Sequence, residues 1–195
     1  MRYTWTQPGD DPSYDVGDKH DINGYFFPMF DALTTREILQ DCKDRGHATG
    51  IYYGHNWGGT APENATRAHE EYRRVYVPGL KVMFNWEQHK PDEIASGLET
   101  WRTLRPTVNT SWSMEGIQGG WMSPAFVKRI METRVRWVPQ AFAGDPMERR
   151  ESDVVLRDLT RRGVPENIVS PFYMATDLGV GWDGWAFTLG LLPWP

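Results

Sequence analysis

A chain of 195 residues is long enough to bury one core without disulfide or metal staples, and short enough to need no second domain. Its formal charge of -5, with the basic residues scattered, excludes a phosphate-tracking surface, so nucleic acid is not an expected partner. The single cysteine, Cys42, excludes an intrachain disulfide, while ten tryptophans are too many large rings to hide completely and suggest surface platforms for a ligand.

The chain opens on a polar stretch, Met1 to Asp18, rich in Asp, Gly and Pro and without the charged and apolar regions of a signal peptide. Residues 1–20 read as an N-terminal arm and 21–195 as a single domain, with Arg2 to Thr6 offering one extra strand. No apolar run approaches a membrane span, so no membrane partner is expected. Tyr25 to Phe30 reads as a buried strand. Thr34-Thr35-Arg36-Glu37 then reads as a capping box opening a helix that stops at Gly46. Gly50 to Gly54 is the next strand, and Thr60-Ala61-Pro62-Glu63 opens a second helix running to about Val77, with Pro62 in the first turn, where a missing N–H costs little.

The alternation continues. Leu80 to Trp86 is a strand, and Pro91 to Leu104 a helix whose first turn carries acids suited to the helix dipole. Val108 to Met114 is a strand, Ser123-Pro124 opens a helix, and Val135 to Phe142 is a strand. Asp145 to Gly163 is a helix and Ile168 to Tyr173 a strand. Ala175 to Asp183 is too short and Gly-rich for a full helix, and Trp185 to Leu189 reads as the last strand. Repeated strand–helix units predict an α/β fold with a parallel sheet. Neither Gly58-Gly59 nor Gly119-Gly120 sits in a phosphate-loop context, and polar and aromatic residues gather at most strand ends rather than at one switch point. The expectation is therefore a compact (β/α)8-type TIM barrel with its final βα units trimmed.

In such a barrel the strand ends converge on one face, bringing together Asp31, His55, Trp57, Asn85, Trp86, Glu87, Glu115, Gln140, Tyr173 and Asp183. Two glutamates on adjacent strands suit a glycosidic bond, which needs a proton donor and an ionised base or nucleophile. Glu115 is assigned as the acid and Glu87 as its partner, with Trp86 or Trp112 as the apolar wall that raises the donor's pKa. Trp57, Trp86, Trp112 and Trp121 are the expected sugar platforms, whereas Trp101 is expected in the core. Against this stands the ordinary reading of strand-end glutamates as ion-pair or loop anchors. His55, Glu87 and His89 form an alternative metal set, though without H-x-x-x-H spacing; no metal or cofactor is expected. Asn64-Ala65-Thr66 and Asn109-Thr110-Ser111 match the glycosylation sequon by chance.

The run from Thr110 to Trp121, TSWSMEGIQGGW, followed by Val138-Pro139-Gln140-Ala141-Phe142, resembles minor tail proteins of actinobacterial phages that contain a glycosidase-like barrel. The likeness extends from about Gly24 to Pro193. A more distant likeness is to family 25 lysozymes, whose barrel carries D-x-E on one strand; Asn85-Trp86-Glu87 occupies that frame with an amide in place of the acid. An amide transfers no proton at neutral pH. The resemblance implies a virion component at the tail tip, outside the host cell, with host cell-wall glycan and other tail proteins as partners and a homo-oligomer as one option. Three expectations follow: a hydrolase acting on wall polysaccharide, a catalytically inactive carbohydrate-binding protein, or a structural tail component.

Overall fold

The computed structural model describes residues 2–5, 14, 22–29, 34–53, 58–86, 89–115, 123–140, 174–175 and 186–188. Its elements in chain order are β1 (Arg2–Trp5), β2 (Ile22–Pro28), α1 (Arg36–Asp44), β3 (Ala48–Tyr53), α2 (Ala61–Val75), β4 (Lys81–Asn85), α3 (Pro91–Leu104), β5 (Thr110–Glu115), α4 (Pro124–Thr133), β6 (Arg136–Gln140), β7 (Met174–Ala175) and β8 (Ala186–Thr188). The extra strand expected at Arg2 is present. The helix expected over residues 145–163 and the strand expected over 168–173 lie outside the described residues.

The strands form one eight-stranded sheet in the order β6-β5-β4-β3-β2-β1-β8-β7. From β1 to β6 each strand pairs in parallel with the next in sequence. Sheet order follows chain order throughout that stretch, so it contains no switch point and is not doubly wound. The compact (β/α)8-type TIM barrel expected from the sequence is nevertheless wrong. β8 is antiparallel to β1, and β7 antiparallel to β8, so β7 runs the same way as β1–β6 and β8, among the described strands, runs against them, where a (β/α)8 barrel has every strand parallel. The cause is connection length: residues 176–185 separate β7 from β8, fewer than the dozen or so that a parallel crossover requires.

In β2, β3 and β4 the sheet is buried on both faces, and strand alternation sorts the two. Tyr25 and Phe27 of β2, Ile51 and Tyr53 of β3, and Val82 and Phe84 of β4 join one core with Leu39 and Cys42 of α1, Ala65 and Tyr72 of α2, Leu98 and Trp101 of α3, and Phe126 and Ile130 of α4. The alternate positions Phe26, Tyr52, Met83 and Asn85 are buried on the other face. Gly50 lies in register with Phe26, and a Cβ there would stand 2.4 Å from the Phe26 ring. Absence of a side chain makes room for that ring.

Local chemistry sets the helix ends. Thr60 Oγ1 accepts from Glu63 N at 3.3 Å while Glu63 Oε2 accepts from Thr60 N at 2.7 Å, completing the capping box expected there. At α1 the box was placed one residue early. Thr35 is the N-cap, accepting from Ile38 N at 3.4 Å, because the Thr34 hydroxyl donates instead to the Pro28 carbonyl. Ser123 caps α4 by accepting from Phe126 N.

Candidate functional site

The carboxyl ends of β4, β5 and β6 bring the candidate residues together. Asn85 is the Cα partner of Ser113, and β5 runs two residues further to Glu115, the partner of Gln140. Adjacent strands lie about 4.8 Å apart and two residues advance about 6.6 Å. Asn85, Ser113, Glu115 and Gln140 therefore fall within about two strand widths at one end of the sheet. Asn85 is buried, 8% exposed, on the face turned away from the helices. On that face burial raises the Tyr52 hydroxyl pKa and lowers that of the Lys81 amine. Lys81 opens β4 at the opposite, amino end.

Trp86 is neither the sugar platform nor the apolar wall expected from the sequence. It is 0% exposed and belongs to the helix-side core, stacked on Phe84 with ring centroids 4.3 Å apart. Alternation explains the outcome, since Trp86 follows Phe84 by two residues and Asn85 by one. Trp112 stands in register with Phe84 and Trp137, whereas Glu115 follows the row of Asn85 and Ser113. Trp101 is in the core as expected, its Nε1 donating to Thr110 Oγ1 at 2.8 Å.

Just past Trp86 the connection to α3 is tied down. The His89 backbone N–H donates to the Trp86 carbonyl at 3.3 Å, and His89 Nδ1 lies 2.9 Å from Glu93 Oε1. The same Glu93 oxygen accepts from Ala61 N at 3.1 Å. Glu93 was read from sequence only as a dipole-matched acid; the overlooked signal is the four-residue spacing His89 to Glu93, one helical turn. In the alternative metal set His89 is thus engaged with a carboxylate, while His55 and Glu87 lie outside the described residues. Among the described residues no three His, Cys, Asp or Glu side chains cluster as metal ligands. Asp31, Trp57, Trp121, Tyr173 and Asp183 also lie outside them. Asn64 of the first sequon is 1% exposed within α2.

No family model matches the sequence, and no curated protein matches it. The structure is similar to the catalytic domain of a hyperthermophilic chitinase from Pyrococcus furiosus, with a TM-score of 0.61 at 10% identity over 86% of this chain and 70% of that one. Catalytic-site mutants of active domain 2 of chitinase from the same organism give 0.61 and, in complex with chito-oligosaccharides, 0.58. At this identity the likeness is one of fold. The chain has a fold similar to that of these chitinase catalytic domains.

Proposed function

We propose that the protein is a glycoside-hydrolase-like protein that binds, and cleaves, a glycan containing N-acetylglucosamine, with Glu115 as proton donor and Glu87 as its ionised partner. The observation that carries this reading is the position of Glu115: last residue of β5, paired with Gln140 and one strand from Asn85. Catalytic groups of such α/β folds stand at the carboxyl ends of parallel strands. The solved chitinase domain bound to chito-oligosaccharides supplies the ligand class. Bacterial cell-wall glycan contains the same sugar, and the tail-protein resemblance of residues 110–121 and 138–142 supports a place at a phage tail tip.

A second reading, binding without cleavage, is favoured by Asn85, a buried amide in the frame where an acid would be expected. One experiment separates the two. Chito-oligosaccharides and actinobacterial cell wall are incubated with the protein while reducing ends and tryptophan fluorescence are followed. Cleavage predicts release that falls by about 10²-fold or more in Glu115→Gln, with fluorescence quenching retained. Release unchanged in that variant removes Glu115 as donor; quenching without release selects the binding reading; no quenching counts against both.

A further inference from the structure

We propose that the Tyr14 side chain is a detachable plug at the amino end of β2 and β3, which opens without unfolding of the sheet and then uncovers the core beside Cys42. The plug lies at the opposite end of the strands from Asn85 and Glu115, and it does not depend on a glycan.

Tyr14 lies in sequence between β1 and β2, and its ring meets side chains from β2, from the end of α1 and from the turn into β3. The His47 imidazole, just ahead of β3, is stacked on it with centroids 5.3 Å apart and planes 7° apart. Tyr25 of β2 meets Tyr14 edge-on at 4.9 Å and packs edge-on against His47 at 5.0 Å. The Arg45 guanidinium carbon, at the C-cap of α1, stands 4.7 Å from the centre of the Tyr14 ring. Arg45 is itself held by Asp41 at 2.9 Å. The Tyr14 hydroxyl donates to the Cys42 sulfur, which the Thr49 hydroxyl also reaches.

These contacts put Tyr14 outermost over two sealed groups. Tyr25 and Cys42 are fully buried, whereas Tyr14 is partly buried and packs against their core from outside. Tyr25 and Cys42 are also fixed by the backbone pairing of β2 with β3 and by the α1 helix, which survive the loss of one ring. The Tyr14 side chain is held by ring contacts, one exposed guanidinium and a hydrogen bond to sulfur, each of the weaker kind. It should therefore open at a lower free energy than the elements beneath it. With the plug in place, burial pushes the Cys42 thiol and the Tyr14 hydroxyl above their ordinary pKa values. A thiol kept neutral and covered is a poor nucleophile, and departure of the ring removes both restraints.

Cys42 is the single cysteine of the chain, so a thiol reagent reports on this place alone. The probe is dithiobis(nitrobenzoate), applied to the whole protein as wild type, Tyr14→Ala and Tyr14→Phe. The Cys42 thiol loses its proton to buffer and attacks the S–S bond of the reagent; a mixed disulfide forms and one coloured thiolate leaves. Tyr14→Ala is expected to react about tenfold faster or more than wild type, and Tyr14→Phe within about threefold of it, because the ring rather than the hydroxyl does the covering. The wild-type rate should stay flat in urea well below the unfolding midpoint, since release of one side chain exposes little surface. Equal rates in wild type and Tyr14→Ala overturn the plug, as does Tyr14→Phe reacting as fast as Tyr14→Ala. Should the alanine variant fail to fold, wild type still decides: a rate that climbs with urea in step with global unfolding means that Cys42 is reached only by unfolding, and the plug is refuted.

Discussion

A Cβ at Gly97 of α3 would stand 2.8 Å from both Cη2 and Cζ3 of the Trp86 indole, and equally close to the Ala61 Cβ. The close approach of α2 and α3 beneath the carboxyl end of β4 thus requires a glycine at that position. Gly97→Ala gains about 1 kcal/mol of helix propensity but overfills a packed site at a cost of about 1–3 kcal/mol. A net loss of about 1 kcal/mol is expected in urea unfolding. Trp86→Phe removes the offending six-membered ring. Because Trp86 Nε1 is buried without a hydrogen-bond partner among the described residues, that change breaks no hydrogen bond to any of them. Gly97→Ala should then cost less in the Trp86→Phe background than alone, a coupling read from the double-mutant cycle.

Arg102 joins the ends of two helices. Its Nε donates to the Thr133 carbonyl at 2.6 Å, Nη1 to Val108 at 2.6 Å and Arg105 at 3.3 Å, and Nη2 to Arg134 at 3.0 Å. These carbonyls include the last of α4, which have no partner within the helix. Arg102→Ala removes this donor from the Thr133, Arg105 and Arg134 carbonyls, while Val108 keeps the Thr110 hydroxyl, and should cost about 2 kcal/mol. Arg102→Lys should rescue little of it, because one ammonium cannot reproduce the planar fork. Chemical denaturation of the two variants checks both statements; equal stability of Arg102→Lys and wild type would contradict the fork.

How far the sequence discloses this molecule depends on whether the deciding physics is local. Pro91 followed by two acids fixes the start of α3, and the helix spans the residues expected. At α1 two adjacent threonines both suit the cap, and a tertiary bond from Thr34 to Pro28 chooses between them. Parallel order was legible from repeated strand–helix units. The reversal of β8 was not, because it turns on the length of one connection. The placement of Asn85 and Glu115 at one end of the sheet followed from alternation, as the exclusion of Trp86 should have: Phe84 already fixed which side of β4 faces the core. Glu93 was hidden because its second donor, Ala61, lies on another helix.

The N-terminal carboxylates of α1 and α2 make stability fall on the acid side. Glu63 is held below the ordinary glutamate pKa by the Thr60 backbone N–H and hydroxyl, and Glu37 by its own backbone N–H and the Thr35 hydroxyl. A folded pKa below the unfolded value of about 4.3 means that the stabilisation is complete above that value and is lost as pH falls through the lowered folded pKa. Glu63→Gln should be less stable than wild type at pH 7 and converge with it as pH falls below about 4. Thermal unfolding across pH 3 to 7 measures this, and a gap that widens toward acid would reverse the assigned sign.

Asn85→Asp should show the opposite pH trend. Asn85 is 8% exposed on a face where burial already raises the Tyr52 pKa and lowers that of Lys81. A carboxylate placed there is desolvated, so its folded pKa rises above the unfolded value of about 3.9. The ionised form then destabilises the fold at neutral pH, by about 1–3 kcal/mol, and the deficit is recovered as pH falls through the raised pKa. The same substitution restores an acid one strand from Glu115, in register with Ser113. If Asn85 is what separates binding from cleavage, Asn85→Asp should release reducing ends from chito-oligosaccharide faster than wild type despite its lower stability at pH 7. Release no faster than wild type, from a variant shown to fold and bind, would clear Asn85 of that role and return the catalytic question to Glu87 and Glu115.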